Sequence, residues 1–380
     1  MTKRVLIILC KYVLGLGLLA WVIWQHWEAQ PGSAGIGLRD ALTKPINWGP
    51  LLLAALFCLT SVLLTFLRWF ILVRAQGLSF TPSSAMRLGM VGFYFNTFLP
   101  GSVGGDIIKA ACIAREQSRR TVAVATVLVD RGVGLCGLFW LAAIVGGAFW
   151  ISGALDELAV TPVAEWFLKT VVLGAAGIVA ASLICWFLLG ILAVERAARL
   201  AAWLERIPKV GHALAELWRA VWMYRCQGRS VALALGMSLV SHSGFVLMFY
   251  FAAQTLSPVT QIPSLWAHFL IVPIGATIRA GFPAPGGVGG GEYAYGKLYE
   301  WLDAASAAGI LGLLVQRCIE CVWGLIGYLV YRRMKPGLPR TTTEPSTFNG
   351  EPKSTEPSTR TAAFDSLLNS RVLDPRHDGS

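Results

Sequence analysis

Long apolar runs separated by short polar stretches occupy the first 332 residues. Five runs are long enough to cross ~30 Å of hydrocarbon, which takes about 20 helical residues. They are Val5 to Trp24, Leu51 to Val73, Gly132 to Trp150, Phe167 to Val194 and Val231 to Phe251. A sixth, Ala305 to Tyr331, is mostly apolar although it contains Arg317 and Glu320. The first run follows Lys3 and Arg4 as a signal peptide would, yet it is longer than an h-region and lacks a small-x-small cleavage site. It is therefore read as an uncleaved span.

Two further apolar stretches are interrupted by proline and glycine. PGSVGGD runs from Pro100 to Asp106, and PGGVGGGE from Pro285 to Glu292, 185 residues later. Around these motifs, Asn96 to Gly105 and Gly281 to Gly291 are expected to be non-helical, because proline lacks an N–H and glycine tolerates positive φ. The duplication is wider than the glycines. AQGLS at Ala75 returns as AQTLS at Ala253, Pro82 and Ser83 match Pro263 and Ser264, and VLVDR ending at Arg131 meets VLVDR-like LLVQR ending at Arg317. Landmarks repeated in the same order indicate a duplicated structural unit, with halves at about 1–152 and 166–332.

Composition agrees with a membrane protein. The chain is 55% hydrophobic with a mean hydropathy of +0.60, and its 14% charged content is well below the ~25% of soluble domains. The eight cysteines are scattered and mostly sit in or beside apolar segments, which does not suggest a disulfide framework. Cys318 and Cys321 form a CxxC without a second pair or histidine partner, and no metal or other cofactor is expected. From Pro336 onward the chain turns to Thr, Ser, Pro and Glu, with TEPST at Thr343 and again at Thr355, so residues 333–380 are expected to form a disordered cytoplasmic tail.

Loop charge adds orientation, because Lys and Arg in short loops stay on the cytoplasmic side. The region from Arg74 to Arg120 carries six basic residues against Asp106 and Glu116, and Glu195 to Arg229 carries seven against three acidic ones. Both belong inside, as do Arg332, Arg333 and Lys335. Ser152 to Glu165 has three acidic residues and no Lys or Arg, and Gln254 to Ile262 is uncharged, so both belong outside. These assignments require Met86 to Ala114 to dip in from the cytoplasm and return, and Leu265 to Leu298 to do so from outside. The predicted fold is an all-α multi-pass bundle with two re-entrant broken-helix hairpins in an inverted-topology repeat and both termini cytoplasmic. Two full crossings around the second motif are the alternative. Past Arg199, RLAAWLERIPKVGHALAELWRAV suggests helices on the inner surface or a linker packed on the bundle.

A charge within the hydrocarbon costs ~2.5 to 3.5 kcal/mol on insertion scales, so it requires a partner or a purpose. The candidates are Asp106, Lys109, Asp130 and Arg131 in the first half, with Arg279, Glu292, Arg317 and Glu320 in the second. Asp106 and Glu292 follow the glycines and either cap half-helices or govern entry of a phosphate to the flanking N–H groups. Pro100, Gly101, Gly104 and Gly105, with Pro285, Gly286, Gly289 and Gly290, would shape those two sites. Arg131 and Arg317 are repeat-equivalent. They suit an anionic headgroup, or else pair along their own helices with Asp130 and Glu320. Asn96 either donates to a substrate oxygen or stabilises the turn.

At these residues the chain resembles a known family. NTFLPGSVGGDIIK, VDRGVGL and PAPGGVGGGE look like signatures of the flippase-like transmembrane region of lysylphosphatidylglycerol synthases, over about residues 5 to 332. Family members more often carry an Arg where Lys109 falls. The resemblance implies an inner-membrane protein that moves aminoacylated or other anionic phospholipids, or polyisoprenyl-linked lipids, between leaflets, with a lipid-modifying enzyme as a possible partner. Synthase fusions carry a soluble aminoacyl-transfer domain that is not read in these 380 residues, so lipid synthesis is not expected of this chain. No GxxxxGK[ST] loop is present, so drive would come from a gradient, a partner or lipid asymmetry. Nucleic acid is not expected as a partner. The competing classes are a membrane transferase using Asp106 and Glu292 as acid and base, and a small-solute secondary transporter.

Overall fold

The computed structural model describes residues 3–28, 37–99, 104–208, 210–257 and 262–334. Among the described residues there are helices and turns and no strand. The first half contains α1 (Lys3–Gln25), the short α2 (Leu38–Thr43), α3 (Trp48–Ala75), the pair α4 (Pro82–Phe98) and α5 (Gly104–Glu116), and α6 (Arg120–Ile151). After α7 (Ala154–Leu158), the second half runs α8 (Pro162–Ile191), α9 (Val194–Glu205), α10 (Gly211–Cys226), α11 (Gly228–Gln254), the pair α12 (Leu265–Gly281) and α13 (Gly290–Glu300), and α14 (Ser306–Arg333). Apart from α2, α7, α9 and α10, both halves follow the order helix, helix, broken pair, helix.

Five helices, α3, α6, α8, α11 and α14, are long and apolar enough to cross a membrane. The first expected span is represented by α1, which over Cys10–Gln25 counts among the shorter apolar helices. Large apolar side chains such as Leu56, Leu173, Phe187 and Leu325 are exposed on the outer faces. Lipid tails are as apolar as leucine, so such surfaces need no polar cover. The protein is a multi-pass α-helical bundle, as the hydropathy pattern predicts.

Each broken pair is an antiparallel hairpin. Both begin with a hydroxyl cap: Thr81 Oγ1 accepts from the Ser84 N–H at 3.1 Å, and Ser264 Oγ from the Ala267 N–H at 3.2 Å. In the first hairpin, Asn96 Oδ1 accepts the Gly105 N–H at 2.8 Å, and Gly92 lies against the stem of Lys109. In the second, the Tyr295 hydroxyl donates to the Val272 carbonyl at 3.2 Å, and His268 Nε2 meets the Tyr299 hydroxyl at 2.6 Å. The returning helices are short. With 13 and 11 residues, α5 and α13 rise about 20 and 17 Å, well under ~30 Å of hydrocarbon.

The hairpins open at opposite ends of the bundle. One core cluster joins the end of α3 (Val73), the start of α4 (Ala85, Leu88), the end of α5 (Ile113) and the start of α6 (Val122, Ala123). Another joins α7 (Leu155), the start of α8 (Leu168), the end of α11 (Ala253), the start of α12 (Ala267, Leu270) and the end of α13 (Leu298, Tyr299, Leu302). The halves interlock, since α4 packs on α14 through Gly324 and Gly327, and α12 approaches α6 at Gly146. Between them α3 and α11 meet closely, with Gly244 against Ser61 and the Phe57 and Phe251 rings stacked at 5.7 Å.

The breaks are shorter than composition suggests. Asn96 to Phe98 are helical, Gly104 and Gly105 already belong to α5, Gly281 ends α12, and Gly290 and Gly291 begin α13. Close packing explains these glycines. A Cβ on Gly105 would collide with the Gly92 carbonyl and the Asn96 side chain, one on Gly290 with the Phe282 ring, and one on Gly291 would lie 2.9 Å from Leu313 Cδ2. Backbone freedom is used at Gly286, Gly287 and Gly289, where φ is +59°, +66° and +82°. Pro100, Gly101 and the expected tail beyond Met334 lie outside the described residues.

Of the two readings for the segment past Arg199, packing on the bundle describes α10. Tyr224 donates to the Leu72 carbonyl at 3.0 Å, Gln76 Nε2 donates to the Ala220 carbonyl at 3.0 Å, and Trp218 Nε1 ties α10 to α9 through the Ala197 carbonyl at 2.9 Å.

Candidate functional site

The two hairpin breaks place the repeat-equivalent charges alike. Asp106 is the third residue of α5 and Glu292 the third of α13. Arg131 and Arg317 are each 11 residues past the first residue of their helices, α6 and α14. That places both arginines about 16 Å along helices of 32 and 28 residues, well inside each. Arg131 Nη1 donates to Asp106 Oδ2, and Arg317 Nε donates to Glu292 Oε1 at 2.7 Å. Both pairs bridge 25 residues of sequence.

These contacts replace the alternative pairing along one helix. Adjacent helical residues do not face each other, which rules out Arg131 with Asp130, and Glu320 is occupied by other donors. Arg279 Nη2 reaches both Glu320 oxygens at 3.2 Å, and Gln316 Nε2 donates to Oε1 at 2.6 Å. Asp130 in turn is engaged by Arg68 Nε at 2.8 Å and Lys109 Nζ at 3.7 Å. Lys109 also sits 4.3 Å over the Trp69 ring, a placement that favours a desolvated cation.

Around the second break the carboxylate is fully buried and fully used. Glu292 is 0% exposed; besides Arg317, its Oε2 accepts the Gly289 N–H at 2.8 Å. Arg317 Nη1 donates to the Gly286 carbonyl at 2.9 Å. The capping expectation for Glu292 is therefore met, and one side chain joins the turn, the start of α13 and the middle of α14. For Asn96 the turn-stabilising alternative is realised by its bond to Gly105.

Sequence reading missed Arg68, Ser238 and His242. Arg68 Nη1 donates to Ser238 Oγ at 3.1 Å, and its guanidinium lies against Gly134, where a Cβ would come within 3.2 Å. His242 Nε2 bonds the Gly134 carbonyl at 2.9 Å, which makes that nitrogen the protonated one. The signal was present: Arg68 is the lone charge in the run Leu51 to Val73, at a position where an unpaired guanidinium would be costly.

The fold and these ion pairs define a multi-pass α-helical membrane protein whose buried charges gather at two symmetry-related hairpin breaks. The family model for the lysylphosphatidylglycerol synthase TM region matches residues 8–327, and the chain belongs to that family. It is thus a membrane protein of the lipid-related flippase and synthase transmembrane type. No curated protein and no solved structure matches it.

Proposed function

We propose that the protein carries the anionic headgroups of phospholipids or lipid-linked molecules from one leaflet of the inner membrane to the other, while the acyl chains remain in lipid. Residues 1–332 form the translocating unit, and the termini and the loops rich in Lys and Arg face the cytoplasm. The hairpins α4/α5 and α12/α13 are re-entrant, one from each side. Helices α5 and α13 are too short to cross, and each hairpin closes at the end where it opened.

The observation that carries this reading is the matched pair Arg131–Asp106 and Arg317–Glu292, both mid-span and both beside a backbone break. Charges at such depth mark a polar path, and broken helices in inverted repeats meet at substrate sites near the midplane. Arginine is suited to phosphate through its two parallel N–H donors. Lys109, Asp130, Arg279 and Glu320 hold the two arginines' surroundings, and Asn96, Gly104, Gly105, Gly286, Gly289 and Gly290 shape the breaks.

Purified protein in liposomes containing fluorescent phosphatidylglycerol, phosphatidylethanolamine or phosphatidylcholine is expected to expose inner-leaflet anionic lipid to an external quencher. Equal quenching plateaus with and without protein, across all the lipids, would sink the proposal.

A further inference from the structure

We propose that the two ion pairs have different tasks: Arg131 receives the phosphate of an anionic lipid by exchanging Asp106 for it, whereas Arg317 remains bound to Glu292 as a strut. This division rests on the translocation reading for the nature of the ligand, and on three observations for the assignment.

Exposure is the first. The Arg131 side chain is 36% exposed and that of Asp106 16%, against 19% for Arg317 and 0% for Glu292. A guanidinium near the middle of a span cannot face hydrocarbon with a third of its surface, so that surface opens on a polar space or a headgroup. The second is bonding. Glu292 accepts from Arg317 Nε, Arg317 Nη2 and the Gly289 N–H, so its departure would strand a backbone donor.

Charge is the third. Around the first break, Arg68, Lys109 and Arg131 face Asp106 and Asp130, a surplus of one positive charge. Around the second, Arg279 and Arg317 balance Glu292 and Glu320. The repeat positions of Lys109 and Asp130 are filled there by Tyr295 and Gln316. A phosphodiester with a single negative charge would bring the first cluster to neutrality and overload the second. The chemistry recognised is thus a singly charged phosphodiester, read by one arginine with Lys109 and Arg68 supplying the field behind it.

The test is equilibrium binding to the full chain in phosphatidylcholine nanodiscs, titrated separately with dihexanoyl phosphatidylglycerol, glycerol 3-phosphate and inorganic phosphate. Arg131→Gln is expected to weaken phosphatidylglycerol binding by roughly tenfold or more, the loss of a charge-assisted contact. Arg131→Lys is expected to recover part of it, Asp106→Asn to tighten it by removing the competitor, and Arg317→Lys to lower the unfolding midpoint with a smaller loss of binding in the folded fraction than Arg131→Gln. Wild-type affinity in Arg131→Gln, or weakening in Asp106→Asn or Arg317→Lys equal to that of Arg131→Gln, would overturn the assignment. Free phosphate or glycerol 3-phosphate bound as tightly as phosphatidylglycerol would overturn the lipid as ligand. Leaflet exchange is scored separately: the expected binding pattern without exchange would sink translocation and keep the site, and exchange without the pattern would do the reverse.

Discussion

Asp106 and Glu292 occupy the same place in the two halves, the third residue of a short returning helix, and each meets an arginine 25 residues further on. Around Glu292 the protein closes: both oxygens are occupied, the turn has three glycines at positive φ, and no part of the residue is exposed. Around Asp106 it stays open, and extra cations are supplied from α3 and α5 by Arg68 and Lys109. The two breaks therefore share the placement of their charges but not their burial. One break is a joint between hairpin and bundle; the other keeps a charged face available.

Removing a buried carboxylate from either half should have the largest effect. Glu292→Ala strands Arg317 and the Gly289 N–H in a buried site, and a cost of about 3 to 5 kcal/mol is expected, read as a large drop in the unfolding midpoint in mixed micelles. Asp130→Ala should cost a comparable amount, because Arg68 and Lys109 are both buried and lose their shared partner. Stability near wild type in either variant would show that water already reaches those charges.

The backbone of the second turn gives the next effect. Gly287→Ala forces a side chain at φ +66° into the Arg279 carbonyl, and about 1 to 3 kcal/mol is expected. Gly77→Ala, at φ +69° with open space around it, is the control and should cost only the backbone term of about 1 kcal/mol. Equal losses would mean that the turn at Gly287 yields easily. The smallest effect is expected for Asp106→Ala. Its partner is more than a third exposed, so about 1 kcal/mol or less should be lost in the same assay. A loss as large as that of Glu292→Ala would erase the difference between the halves.

Much of this fold was legible in the sequence because lipid imposes a simple rule, that spans be long and apolar. The hairpins fell within a few residues of their predicted limits, and the repeat offset of 186 that aligned Arg131 with Arg317 also aligned their partners Asp106 and Glu292. Their pairing was not legible, since it depends on the depth to which α5 and α13 reach beside α6 and α14. Arg68 was overlooked because averaging over a long apolar run hides one charge. The glycines misled in one respect: Gly105, Gly290 and Gly291 read as irregular backbone, yet they serve helix packing, a role visible only when Gly92, Phe282 and Leu313 are placed against them.

The most direct measurement is the rate at which fluorescent phosphatidylglycerol changes leaflet in vesicles holding equal amounts of folded wild-type or Arg131→Gln protein. Fast exchange by the wild type, and exchange at the protein-free rate by Arg131→Gln, is the result this account predicts. Exchange by Arg131→Gln at the wild-type rate would contradict it.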